Sequence, residues 1–188
     1  MLLVITALLI LVTVPLAGGR VGVLADVRLR GTSLVAIALG AQILVVSVFP
    51  GSLDGLHEPV HLASYLLLGV FMWLNRRIPG MLLVAAGGTA NAAAIFANGG
   101  VMPASAEALA AAGMPPEKAG EYANSAVVES PALSWLGDVF AVPAAWPASN
   151  VFSVGDVLIA VGLAVALHRL AGSRLAPAAR LRRTPRPT

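Results

Sequence analysis

Long apolar runs separated by short arginine clusters constrain this chain more than any other feature. Eleven of its twelve basic residues are arginines. They are grouped as Arg20, Arg28 and Arg30, then Arg76 and Arg77, then Arg169, Arg174, Arg180, Arg182, Arg183 and Arg186. Only 11% of the 188 residues are charged, against about a quarter in a soluble domain, while 58% are hydrophobic. A soluble helical protein of this composition would have to bury nearly every helix on all sides, which a chain this short cannot do. The expectation is an all-α, polytopic membrane helical bundle.

Five segments are apolar enough to cross: residues 1–17, 32–49, 56–74, 81–97 and 151–170. Each approaches the ~20 residues that span the hydrocarbon layer as a helix. The connections alternate in charge. Residues 18–31 carry three Arg, 50–55 only Asp54, and 75–80 two Arg. Residues 98–150 carry Glu107, Glu117, Glu121, Glu129 and Asp138 against Lys118. The tail is again arginine-rich. Placing Arg20, Arg28, Arg30, Arg76, Arg77, Arg169 and Arg174 on the cytoplasmic side sets the N-terminus outside and the C-terminus inside. It also leaves 98–150 as an extracytoplasmic loop. The expected division is an integral membrane domain over 1–170 and a cytoplasmic tail over 171–188.

The first span has no positive charge ahead of it and no clear cleavage pattern at Pro15-Leu-Ala-Gly-Gly19, so it reads as a retained helix rather than a signal peptide. Asn75-Arg-Arg-Ile-Pro-Gly80 is a polar turn that makes spans three and four a helical hairpin. The fourth span is weakened by Gly87, Gly88, Thr89 and Asn91, residues suited to close helix packing. Small-xxx-small spacing occurs at Gly18/Gly22, Ala160/Ala164 and Gly162/Ala166.

In the outer segment, Ala104–Ala112 predicts a short helix with Ser105 near its start, stopped at Gly113-Met-Pro-Pro116. Residues 133–147 hold Trp135, Phe140 and Trp146, rings suited to the headgroup level. Asp138, Pro143 and Pro147 argue against a sixth crossing, so this stretch is expected to lie on the surface or re-enter.

Asp156 is the sharpest single residue, expected about two turns inside the outer end of the fifth helix. An acid at that depth must be paired, neutral or facing water. It is read either as a packing or capping carboxylate or as a contact for an ion, proton or polar ligand. His57 and His61, four residues apart and beside Glu58, stand at the same level and either are interfacial polar residues or, with Glu58 or Asp156, assemble a metal or proton-transfer site. Asp138, Asn98, Asn91 and Tyr65 complete the candidate polar cluster, with Ser64 and Gln42 as further hydrogen-bonding groups. The residues make up no recognised zincin motif, phosphate loop, dinucleotide fingerprint or serine nucleophile elbow. No catalytic residue, metal or cofactor is therefore assigned, and the chain leans away from being an enzyme. Cysteine is absent from the sequence.

Several ordered motifs resemble the bacterial membrane protein family DUF5317. They are Pro15-Leu-Ala-Gly-Gly-Arg20, Leu24-Ala-Asp26 with Arg28-Leu-Arg30, His61-Leu-Ala-Ser-Tyr65, Asn75-Arg-Arg-Ile-Pro-Gly80, Ala97-Asn-Gly-Gly-Val-Met-Pro103, Leu136-Gly-Asp138 and Asn150-Val-Phe-Ser-Val-Gly-Asp156. The resemblance implies a small multi-pass membrane protein and supplies no reaction or substrate. The leading functional expectation is an accessory or scaffold component of the cell membrane. The alternatives are a small transporter or channel component using Asp156, and an intramembrane enzyme. The expected partners are the lipid bilayer with its anionic lipids, a second copy or another membrane protein; no nucleic acid is expected.

Overall fold

Helices form where the apolar runs are uninterrupted and end where glycine, proline or a capping side chain breaks them. The computed structural model describes residues 2–43, 57–114 and 125–176 and is mostly helical. Its long helices are α1 (Leu2–Leu16), α2 (Thr32–Ile43), α3 (His57–Leu74), α4 (Met81–Ala97) and, after a short α5 (Ala106–Ala111), α6 (Val154–Ala171). Among the described residues one helix, α6, is long and apolar enough to cross a membrane, with 18 residues and a mean hydropathy of 1.8. Shorter apolar stretches run over Leu2–Leu16, Thr32–Ala41, Leu62–Leu74 and Met81–Ala97. At about 1.5 Å per residue these fall short of a ~30 Å hydrocarbon layer.

The tightest packing is between α4 and α6, and glycine makes it possible. A Cβ at Gly87 would run into the Gly155 carbonyl, and one at Gly155 into the Asn91 side chain. One turn-pair away, a Cβ at Gly80 would strike the Gly162 carbonyl, while one at Gly162 would sit 2.8 Å from the Val84 side chain. Two glycines seven residues apart on each helix therefore let the two backbones touch. Of the anticipated pairs, Gly162/Ala166 lies in this contact, both residues facing Gly80, whereas Gly22 faces open space.

At one end of the bundle, three segments are tied together by backbone and amide bonds. Arg20 N–H donates to the Ala171 carbonyl and Arg174 N–H to that of Ala17, both at 2.9 Å. Asn75, 3% exposed, accepts from Arg30 N–H at 2.9 Å and donates to the Arg30 carbonyl at 2.8 Å. Arg20, Arg30, Arg76, Arg77, Arg169 and Arg174 thus belong to segments gathered at this end. His168 fastens the same corner. Its Nε2 lies 3.0 Å from Thr13 Oγ1 and its Nδ1 2.8 Å from Ser173 Oγ. The Thr13 hydroxyl proton is committed to the Ile10 carbonyl at 2.6 Å, so Nε2 carries the hydrogen it shares with Thr13.

The opposite end carries a folded cap rather than a loose loop. Strand β1 (Met102–Pro103) pairs in parallel with β2 (Ser125–Ala126), and β3 (Phe140–Val142) pairs antiparallel with β4 (Asn150–Phe152). Ala104, Ala108, Leu109, Ala112 and Val151 form its apolar core. Ser105 caps α5 by accepting from Ala108 N–H, and Gly113 leaves the helix with φ +70°. The cap corrects the all-α expectation for this segment. It also gives residues 133–147 a definite form: a 3₁₀ turn over Ser134–Leu136, then β3.

Candidate functional site

The polar residues singled out in the sequence meet where the cap joins the bundle. Ser153 is the N-cap of α6: its hydroxyl accepts from Asp156 N–H at 3.0 Å, and its own N–H donates to Asp156 Oδ2 at 3.1 Å. This is a reciprocal capping box, with an acid in the first turn where the helix dipole favours it. Asn91 of α4 closes the ring. Its amide donates to Asp156 Oδ1 at 2.9 Å, and its oxygen accepts from the Ser153 hydroxyl at 2.8 Å. Each carboxylate oxygen of Asp156 has a partner, and Ser153 is fully buried.

This geometry corrects the expected depth of Asp156. Strand β4 occupies Asn150–Phe152 and α6 starts at Val154, so Asp156 stands in the first turn of α6 rather than two turns inside it. The cause is Ser153, whose side chain satisfies the free Asp156 amide of the first turn and so sets the start of α6.

Asp138 lies nearby in the cap. It is 6% exposed and accepts from the Ser125 hydroxyl at 2.7 Å. Its backbone pairs with Ala104, and its N–H donates to the Pro103 carbonyl at 2.8 Å. Burial raises its pKa to about 6; the Ser125 hydrogen bond opposes this and the Asp156 charge adds to it. Tyr65 is also within electrostatic reach of Asp156, and its ring meets Phe96 edge-on with centroids 5.5 Å apart. Asn98 has a different role. It donates to the Ala94 and Ala132 carbonyls and accepts from Ala132 N–H at 2.9 Å, pinning the cap to the end of α4.

Asp156, Asn91, Asp138 and Tyr65 therefore share one neighbourhood, while Asn98 braces a separate contact. The side chains of His57, His61, Glu58 and Gln42 lie outside the described residues. Among the described residues no group of three or more His, Cys, Asp or Glu is arranged to hold a metal ion. The sequence reading missed Ser153, Ser125 and His168. Ser153-Val-Gly-Asp156 does carry the serine-to-acid spacing of a capping box, which was the available signal. His168 announces itself only through its position in the last turn of α6, where a positive or polar group suits the dipole.

The comparisons with known proteins agree with the motifs. The family model described as "Family of unknown function (DUF5317)" matches residues 26–168, and the chain belongs to that family. It is also similar to a Thermotoga maritima protein described as "Uncharacterized protein", at 31% identity over 100 residues. That match covers 53% of this chain and 57% of the relative, so the chain spans little more than half of the relative's length. No solved structure matches.

Proposed function

We propose that this chain is a multi-pass cell-membrane protein that acts as an accessory or scaffold component, with its cap outside and its basic end in the cytoplasm. Large apolar side chains cover the outer faces of the helices, including Leu8, Leu9 and Val12 on α1, Leu66 and Val70 on α3, and Val161 on α6. In α6 only 28% of the residues are buried, unlike the core helix of a soluble protein. An apolar belt of this kind is supported by lipid and costly in water. Five crossings would place every arginine-bearing segment on one side, in keeping with the positive-inside rule.

The observation that carries the scaffold reading is the closed ring of Ser153, Asn91 and Asp156. These groups hydrogen-bond one another and lock two helices together, which is what a rigid platform requires. Crosslinking in native membranes is expected to recover a recurring partner. A monomeric state with no recurring partner would count against the scaffold role. One observation favours transport instead: two carboxylates, Asp138 and Asp156, share the cap–bundle junction. In that case Asp156→Asn would change solute or proton flux into liposomes without loss of folding, and unchanged flux would remove it.

A further inference from the structure

A groove of about 880 Å³ runs between α3, α4 and α6 and is lined almost wholly by apolar groups. That volume falls within the ~300–1,000 Å³ of small-molecule sites. Leu66, Val70 and Trp73 line it from α3, and Gly88, Ala92 and Leu163 from α4 and α6. On α3 it extends from Trp73 to Leu62, about 16 Å of helix, and on α4 from Met81 to Phe96, about 22 Å. Half of a ~30 Å hydrocarbon layer is roughly 15 Å, so the groove is long enough to take an acyl chain of one leaflet along its length. The Tyr65–Phe96 ring pair stands at its far end.

Its near end is cationic. The Arg76 guanidinium lies over the Trp73 ring, 4.2 Å from the centroid, and donates to the Trp73 carbonyl at 2.8 Å. Arg77 follows directly, also exposed. Among the described residues no carboxylate forms an ion pair with either. One hydrogen bond leaves Arg76 with N–H donors in a planar fork suited to phosphate oxygens.

We infer that this groove holds an acyl chain of an anionic phospholipid, with Arg76 and Arg77 meeting the phosphate. The inference rests on the membrane reading above and adds a defined lipid site to it. Charge selects this occupant. An acyl chain bearing a phosphate fills the apolar groove and meets the two exposed guanidinium groups at its mouth together, whereas an apolar helix of a partner or a second copy would leave those charges unanswered.

The test uses the full chain with Trp135→Phe and Trp146→Phe, leaving Trp73 as the reporter. The protein is reconstituted in phosphatidylcholine vesicles containing a small fraction of bromine-tailed phosphatidylglycerol or, separately, bromine-tailed phosphatidylcholine. Quenching of Trp73 should show the phosphatidylglycerol enriched around it about thirtyfold, the scale expected from two basic contacts. Arg76→Gln with Arg77→Gln should reduce this to the phosphatidylcholine level. Gly88→Leu should fill the groove and displace the tail with both arginines intact; a Cβ there meets only Met72 Cε at 3.6 Å and Sδ at 4.0 Å. Equal quenching by the two lipids in protein that floats with the vesicles would overturn the lipid site alone. Protein that does not float with them would overturn the membrane reading as well. Shielding of Trp73 from both lipids, with a Gly88→Cys variant crosslinking to another copy, would give the groove to a second copy and overturn the lipid assignment.

Discussion

Asp138 is a carboxylate that the cap holds in the wrong environment for its charge. Its folded pKa of about 6 stands above the unfolded value near 3.8, so the native state binds this proton more tightly. Stability should therefore fall as pH rises from about 4 to about 6 and then level off, a loss on the order of 3 kcal/mol for a shift of about two units. Unfolding measured against pH in detergent should show this slope, and Asp138→Asn should flatten it. Ser125→Ala removes the hydrogen bond that lowers the pKa, so the upper edge of the window should move to higher pH. The ring at the α6 cap makes a separate prediction. Ser153→Ala and Asn91→Ala should each cost about 1–3 kcal/mol, and a double-mutant cycle should find them non-additive. Additive losses would mean the ring does not act as a unit. The candidate residues were legible because acids and amides are conspicuous in so apolar a chain. Their partnership was not, since Asn91 and Asp156 are 65 positions apart.

At the scale of elements, the helix runs were readable from the apolar segments and their breakers, and so was the α5 cap at Ser105. The glycine contact between α4 and α6 was legible only in part: Gly87 and the Gly162/Ala166 pair were marked as packing positions, but not Gly80 or Gly155 or which helices they join. Nineteen glycines offer many small-residue pairs, and only the three-dimensional pairing reveals which ones face a backbone. The cap strands escaped for another reason: pairings two or three residues long are too short to show alternation. Glycine substitutions separate these cases experimentally. Gly155→Ala and Gly87→Ala should destabilise by about 1–3 kcal/mol or more, because the helices must move apart. Gly69→Ala, at a helical position with nothing within 4 Å, should instead stabilise by roughly 0.5–1 kcal/mol through helix propensity. Thermal melts of the three variants check the order. If all three behaved alike, close backbone contact would not be what joins α4 to α6.

For the whole molecule, the account depends on a bundle with two chemically distinct ends. Segments bearing Arg20, Arg30, Arg76 and Arg174 are tied together at one end, and the cap with Glu107, Glu129 and Asp138 folds over the other. A bilayer between those ends, as proposed, would account for both the apolar belt and the segregation of charge. The cysteine-free sequence allows single-site labelling to test it directly. Leu29→Cys, Arg77→Cys and Glu129→Cys are each introduced alone, and membrane-impermeant thiol labelling is compared in intact and opened cells. The account predicts that positions 29 and 77 are protected in intact cells and labelled after opening, while position 129 is labelled in both. Labelling that put positions 29 and 77 on opposite sides, or release of the protein from membranes without detergent, would contradict it.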